Sequence, residues 1–126
     1  MTRFIPAAAL LILLVIFVFW LGSHLGKDVD RMTEHLEAAE GNVRLGDWAQ
    51  TYDSLKELDE VWKHAQPLYR ITLEQKIIDE ADRYIGRLRA AAQNKDEKNF
   101  ALETSSMRSF LQGLKRAEKI AWDTVL

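Results

Sequence analysis

The sequence predicts an all-α protein in which an N-terminal transmembrane helix continues into an up-down helical bundle. Two observations support this prediction. First, residues 4–21 carry no charged side chain, and a helix of about 18 residues spans roughly 27 Å, close to the thickness of the bilayer's hydrocarbon core. Second, apolar side chains after this run recur at helical intervals to the end of the chain, without the alternation typical of strands.

We therefore divide the chain into a cytoplasmic tail at residues 1–3, a transmembrane anchor at residues 4–22 and an extracytoplasmic helical domain at residues 23–126. The rival interpretation of the apolar run is a cleaved signal peptide, which needs small residues at the first and third positions before the cut. No cut near the end of the run meets this requirement. Cutting after Gly22, for example, places Trp20 at the third position. The sequence thus favours an uncleaved anchor.

The orientation of the anchor is predicted from the segments on its two sides. Arg3 precedes the run while Lys27 and Arg31 follow it, so the positive-inside rule gives little preference for either orientation. Long C-terminal domains, however, translocate largely regardless of charge. We therefore expect a single-pass protein of the cell membrane with its C-terminal domain outside the cytoplasm. The chain has no cysteine, which excludes disulfides, lipid-modified cysteine and thiol chemistry.

The first helix is expected to leave the bilayer as a stalk. Its heptad seam consists of Leu25, Val29, Met32, Leu36, Ala39 and Val43. Gly46 is suited to end this helix and Asp47 to cap the next one. The apolar face of the second helix consists of Trp48, Tyr52, Leu55, Leu58, Trp62 and Ala65. Pro67, which lacks an N–H, is expected to end that helix.

A third helix is expected from about residue 68 to residue 93 and a fourth after the polar turn of Asn94 and Lys95, with Asp96 as the cap. The apolar positions of the third helix are Ile71, Ile77, Ile78, Ala81, Tyr84, Ile85, Leu88 and Ala92. Those of the fourth are Phe100, Met107, Phe110, Leu111, Leu114, Ala117, Ala121 and Val125. Short connections favour antiparallel neighbours, which gives the up-down arrangement.

The spacing of chemically active side chains predicts no catalytic, cofactor-binding or metal-binding site. Carboxylate-bridged metal bundles use Glu-x-x-His pairs on facing helices, and the chain has none. Glu60 and His64, four residues apart, are interpreted as a solvated surface pair. Ser105 and Ser106 have no histidine spaced to activate them. We therefore expect a protein that is not an enzyme, without a cofactor or a tight metal site.

Charge and aromatic patterns likewise favour structural roles over binding sites. The chain has 17 Lys and Arg against 19 Asp and Glu, a net charge of −2, so nucleic acid is not an expected partner. Trp48 and Trp62 lie two heptads apart, and aromatic residues at helical spacing more often fill a core than stack on a ligand. Gly22 and Gly26 have the spacing of close helix pairs, so a homodimer through the stalk is an alternative to the favoured loose hinge.

The order of short motifs along the chain resembles a known family. The motifs are Asp47-Trp48, Leu55-Lys56-Glu57-Leu58, Trp62, Leu68-Tyr69, Ile78-Asp79, Arg87-Leu88, Lys95-Asp96 and the terminal Val125-Leu126. Over nearly the whole chain they resemble a bacterial family catalogued as domain of unknown function 4363. Gln75, Lys76 and Ile77 stand where members tend to carry a histidine and acidic residues, so a His-dependent role is not expected here. The resemblance implies a membrane-anchored helical domain without an established activity.

Two functional hypotheses follow from this organisation. The leading one is a membrane-anchored helical domain that binds another protein, or has a structural role, at the cell envelope. The alternative is an extracytoplasmic ligand-binding sensor domain that acts through a partner in the membrane. Both hypotheses share the lipid bilayer as a binding partner and differ in what the bundle recognises.

Overall fold

In the computed structural model, helices make up most of the described part of the chain, and no strand occurs there. The structure describes the backbone of residues 4–125 and the side chains in this range apart from those of residues 4, 21–26, 72, 118 and 121–125. The helices within it are α1 (Phe4–Arg44), α2 (Trp48–Thr72), α3 (Gln75–Gln93) and α4 (Glu97–Val125). The prediction of an all-α helical bundle is confirmed.

The helices pack in an up-down order around one core. Each helix contacts the next one along the chain, and α4 closes the bundle against α1. All four helices contribute fully buried side chains; the largest of these include Met32, Leu36, Leu58, Trp62, Ile78, Leu88, Phe100 and Met107. The turns after α1 and α3 lie at one end of the bundle, which we call the far end. The opposite end, from which α1 extends, we call the anchor end.

The helix α1 is 41 residues long and has two parts with different surroundings. Residues 5–20 are all exposed. Further along the same helix, the predicted stalk seam is buried in the bundle at Val29, Met32, Leu36 and Ala39. The predicted seam is thus confirmed at these four positions. One continuous helix therefore contains both an exposed apolar extension and a full member of the bundle.

Among the described residues, no helix combines the length and the apolar character needed to cross a membrane. The predicted anchor, residues 4–22, reaches at both ends onto side chains outside the described ones. The predicted tail at residues 1–3 and the surroundings of Gly22 and Gly26 also lie outside them.

The turn between α1 and α2 forms as predicted. Gly46 adopts a φ of 75°, a left-handed conformation that glycine reaches without steric cost. The N–H of Asp47 then donates to the carbonyl of Asn42 at 2.9 Å. The carboxylate of Asp47 accepts the N–H of Gln50 at 3.1 Å, which caps the start of α2.

The predicted end of the second helix at Pro67 is wrong. The helix α2 continues through Pro67 to Thr72, and the break falls at Leu73 and Glu74, whose backbones are extended. The third helix accordingly begins later than predicted, at Gln75. As a consequence Ile71, predicted on the core face of the third helix, belongs to α2 and is 71% exposed.

Tertiary packing explains why Pro67 does not end the helix. Ala65 and Tyr69, on either side of it, are both buried in the bundle, so the packing of each neighbouring turn holds the chain helical. A proline removes the hydrogen bond to the carbonyl four residues earlier, here that of Lys63. Lys63 is exposed, and water can therefore hydrate the freed carbonyl.

The apolar faces of α3 and α4 largely follow the prediction. In α3 the buried residues are Ile78, Ala81, Ile85, Leu88, Ala91 and Ala92. Asp96 caps α4 by accepting the N–H of Asn99 at 3.2 Å. Phe100, Met107 and Leu111 are buried in α4. Ala117, predicted on this face, is exposed, so the buried face narrows toward the end of α4, while Ala121 and Val125 lie outside the described side chains.

Candidate functional site

The two tryptophans of α2 have different surroundings. Trp62 is 1% exposed, and its ring centre lies 5.5 Å from that of Tyr69. Trp48 is only partly buried and meets Phe100 edge to face, with 6.0 Å between ring centres. The core prediction is therefore confirmed for Trp62 and holds in part for Trp48. The difference arises because Trp48 is the first residue of α2, where the helix reaches the end of the bundle.

A polar network joins α2 to α3 on the surface of the bundle. Arg89 donates to the carboxylate of Asp59 at 3.3 Å and to the hydroxyl oxygen of Tyr52 at 3.2 Å. Its guanidinium carbon also lies 5.7 Å from the centre of the Tyr52 ring. Lys63 pairs with the same Asp59 at 3.0 Å. Tyr52, predicted on the apolar face of the second helix, is thus held in contacts within the protein.

The pKa values of Tyr52 and Tyr84 are shifted in opposite directions. The hydrogen bond and charge of Arg89 lower the pKa of the Tyr52 phenol, because the guanidinium stabilises the phenolate. The hydroxyl of Tyr84 instead donates to the carboxylate of Glu80 at 2.9 Å. That bond raises the pKa of Tyr84, because the phenolate would face a negative charge.

A cleft of about 600 Å³ opens between α1 and α2; we call it the interhelical cleft. Its lining residues are Asp28, Arg31 and His35 from α1 and Glu57, Glu60, Val61 and His64 from α2. The polar lining residues on each helix are three or four positions apart and therefore share a face. The helices run antiparallel, so the two polar stripes form opposite walls of the cleft.

One contact between a histidine and a carboxylate connects the two walls. The Nδ1 atom of His35 lies 3.2 Å from Oε2 of Glu57, and Asp28 is buried, with 3% exposure. Glu60 and His64 are both exposed, which agrees with their interpretation from the sequence as a solvated surface pair. The sequence did not indicate that this pair shares a cleft with His35, because the opposite wall comes from another helix. Within the described residues, no group of three or more His, Asp, Glu or Cys is arranged to hold a metal ion.

A second concave surface of about 180 Å³ lies between α1 and α4; we call it the far-end groove. Its lining residues are Glu40, Val43, Arg44, Glu97, Phe100, Ala101, Thr104 and Arg108. Glu40 forms an ion pair with Arg108 across the two helices. Thr104 is 2% exposed, and its hydroxyl has no hydrogen-bond partner among the described residues. Leu45, in the adjoining turn, is 82% exposed.

Sequence reasoning missed the far-end groove for an identifiable reason. Glu40, Arg44 and Arg108 occupy ordinary positions on the polar faces of helices, where charged side chains usually point into solvent. Only the antiparallel packing of α1 against α4 brings them together. The one visible signal was Leu45, since it falls outside the heptad seam that ends at Val43 and therefore had no predicted place in the core.

The remaining candidates from the sequence do not combine into a site among the described side chains. The hydroxyl of Ser106 donates to the carbonyl of Leu102 at 3.2 Å, a bond within its own helix. Lys115, an exposed basic residue toward the end of α4, pairs with Asp30 of α1 at 2.8 Å. These contacts explain both features as parts of the bundle.

Comparison with known proteins identifies a family and no individual relative. The model of the family described as domain of unknown function (DUF4363) matches residues 19–125. The match covers the whole bundle and the last residues of the apolar run, and it confirms the resemblance seen in the order of motifs. No curated protein and no solved structure matches the chain.

Proposed function

Because the chain belongs to the DUF4363 family, which has no assigned function, we propose its role from the geometry of the bundle. We propose a single-pass membrane protein whose helical bundle binds another protein, or has a structural role, at the extracytoplasmic face of the cell membrane. The observation that most supports this proposal is the continuity of α1. One continuous helix joins an exposed apolar extension to the buried core of the bundle.

The apolar extension has the properties of a lipid-facing helix. Its side chains are exposed, from 69% at Leu10 to 43% at Phe19. Proteins in water rarely expose apolar patches of more than a few hundred Å² without a partner. In a bilayer, by contrast, the backbone of a helix is satisfied internally and the apolar side chains are solvated by lipid. Phe17 and Trp20 stack with 6.3 Å between ring centres, at the end where aromatic residues favour the interface.

We place the bundle outside the cytoplasm, in the orientation predicted from the sequence. The support for this orientation is general: long C-terminal domains are translocated largely regardless of the charges in them. In this arrangement the anchor end faces the bilayer. The far end then points away from the membrane, where an extracytoplasmic partner can reach it.

The far-end groove together with Leu45 is the proposed contact for a protein partner. The groove combines the accessible apolar side chains of Val43 and Ala101 with the charged pair of Glu40 and Arg108. An apolar centre surrounded by charged side chains is the usual composition of a protein interface. Leu45, at 82% exposure, would gain the most from being covered.

Site-specific crosslinking in intact cells tests the partner proposal. A photoreactive amino acid is placed at Leu45 and, as a matched control, at Arg87, an exposed position on α3. We expect one discrete crosslinked product from position 45, weakened at least several-fold by Arg108→Ala. The control position should give no such product. Equal products from both positions, or a product unaffected by Arg108→Ala, would contradict the assignment of the groove.

The interhelical cleft favours the alternative function, a sensor domain that binds a small polar ligand. Its two walls belong to α1, which carries the extension, and to α2, and the pair of His35 and Glu57 connects them. A ligand bound there could change how the two helices pack. Thermal denaturation with a panel of small polar molecules tests this role. The sensor hypothesis fails if no molecule raises Tm, or if the rise is unchanged in Glu57→Gln.

A further inference from the structure

Four large apolar side chains outside the extension are strongly exposed among the described residues: Leu45, Ile71, Leu102 and Ile120. Leu45 and Leu102 lie toward the far end of the bundle. Ile71, near the end of α2, and Ile120, near the end of α4, lie toward the anchor end. The packing register of the helices shows how close these two isoleucines come to the apolar extension.

The register of α2 is given by the contact of His35 with Glu57, in which Nδ1 and Oε2 are 3.2 Å apart. Ile71 follows Glu57 by fourteen residues along α2. Because α1 and α2 run antiparallel, Ile71 lies level with the residue fourteen positions before His35 on α1. That residue is Leu21, the last residue of the apolar run.

The register of α4 is given in the same way by Lys115 and Asp30, which are 2.8 Å apart. Ile120 follows Lys115 by five residues and therefore lies level with Leu25 of α1. Leu25 is four residues beyond the apolar run, about 6 Å along the helix. The headgroup layer on each side of a bilayer is roughly 5 to 7 Å deep. Ile120 would thus fall within the headgroup layer when the run is in the hydrocarbon core.

Charged side chains surround the two isoleucines at the anchor end. The exposed basic ones include Lys27, Arg70, Lys76, Arg116 and Lys119, and such residues are attracted to anionic headgroups. Glu74 is exposed there as well, and the sequence adds further acidic residues near the end of α4. Charges of both signs thus partly cancel here, so contact with lipid depends mainly on the two isoleucines.

We propose that the anchor end of the bundle rests directly on the bilayer surface, with Ile71 at the edge of the hydrocarbon and Ile120 among the headgroups. This inference rests on the proposed membrane anchor and adds a second contact with lipid. The continuity of α1 supports it, because the helix has no break that would hold the bundle away from the extension. Contact with lipid also removes two strongly exposed isoleucines from water.

Spin labels on single cysteines test the proposal in the full chain. The protein has no cysteine of its own, so Ile71→Cys, Ile120→Cys and Leu102→Cys each carry one label. Leu102 is the matched control, because it shares α4 with Ile120 and is 63% exposed against 65%. The labelled proteins are reconstituted in vesicles of phosphatidylcholine and phosphatidylglycerol. The measurement is the collision rate of each label with oxygen, which concentrates in lipid, and with a water-soluble nickel chelate.

We expect the ratio of oxygen to nickel collisions to be several-fold higher at positions 71 and 120 than at position 102. Flotation of the same vesicles tests the anchor separately. If the protein floats but all three labels meet nickel equally, the bundle stands clear of the bilayer and the inference is overturned while the anchor remains. Labels at 71 and 120 shielded from both reagents would show that protein, such as a second copy, covers them instead of lipid. A chain that does not float would overturn the anchor and this inference together.

Discussion

The indole N–H of Trp62 donates a hydrogen bond to the carboxylate of Asp82, with 2.7 Å between Nε1 and Oδ1. The bond joins α2 to α3 and links a ring that is 1% exposed to an exposed carboxylate. Trp62 thus combines a large buried ring with a polar group that has its partner at the surface. Two predictions about the stability of the bundle follow from this pair.

Trp62→Ala should strongly destabilise the bundle. Truncating a buried tryptophan typically costs about 3 to 5 kcal/mol, because it removes apolar contacts and leaves a cavity. Denaturant unfolding of the full chain in detergent, followed by circular dichroism, measures the loss. Glu60→Ala, at an exposed position of the same helix, is the control and should change the free energy of unfolding by about 0.5 kcal/mol or less. A Trp62→Ala variant that unfolds at the midpoint of the parent would mean that the ring is not part of the core.

Asp82→Ala should lower the free energy of unfolding by about 1 to 3 kcal/mol, because it leaves the buried indole N–H without its acceptor. The same substitution made in Trp62→Phe should cost much less, since phenylalanine has no N–H to satisfy. A double-mutant cycle with these variants measures the coupling. Equal costs of Asp82→Ala in both backgrounds would show that the hydrogen bond contributes nothing to stability.

Tyr52 should lose its proton at a lower pH than Tyr84. The pKa of Tyr52 is lowered from 10.0 by Arg89, and that of Tyr84 is raised from 10.0 by Glu80. The lowered pKa of Tyr52 stabilises the folded state at pH values above the ordinary tyrosine pKa of 10.0. This stabilisation is lost as the pH falls through the pKa of Tyr52 in the folded protein. The raised pKa of Tyr84 stabilises the folded state at pH values below the ordinary tyrosine pKa of 10.0. This stabilisation is lost as the pH rises through the pKa of Tyr84 in the folded protein.

Tyrosinate absorbance during an alkaline titration of Tyr52→Phe and Tyr84→Phe assigns the two transitions. Arg89→Gln should move the Tyr52 transition to higher pH, because it removes the cation that stabilises the phenolate. The Tyr84 transition should remain in place. Two transitions at the same pH, or a Tyr52 transition unaffected by Arg89→Gln, would contradict the role of the guanidinium.

Pro67→Ala should stabilise the protein by about 1 to 3 kcal/mol. Proline is about 3 kcal/mol less favourable than alanine inside a helix, and α2 continues through this position. Part of the gain is offset, because proline also restricts the unfolded chain. Denaturant unfolding measures the change, with Ala49→Pro near the start of α2, where proline is tolerated, as a comparison. A lower stability of Pro67→Ala would indicate that the proline ring makes a contact that the bundle requires.

The helices were predictable where one segment of sequence contains its own signal. The buried seam of Met32 and Leu36 follows from heptad spacing. The turn follows from the glycine at position 46, because glycine reaches the left-handed backbone found there without steric cost. The end of α2 was not predictable from Pro67, because the burial of Tyr69 on the far side of the proline overrides the local preference. Tertiary packing decided that boundary.

The concave surfaces could not be predicted at all, since each one is formed by two helices. The residues of the interhelical cleft were visible as separate stripes, and Glu60 with His64 was recognised on one helix only. That His35 lies on the opposite wall depends on the register of α1 against α2. Register between antiparallel helices is set by how the whole core packs and has no signal in a single stretch of sequence.

Alkaline carbonate extraction of membranes from cells that produce the full chain tests whether the apolar extension of α1 anchors the bundle in a membrane. The matched variant is Leu13→Arg with Ile16→Arg, since each arginine at the centre of a membrane helix costs about 2.5 to 3.5 kcal/mol on the insertion scale. We expect the parent chain to remain in the membrane pellet and the double variant to be released. Release of the parent chain into the supernatant would contradict the anchor.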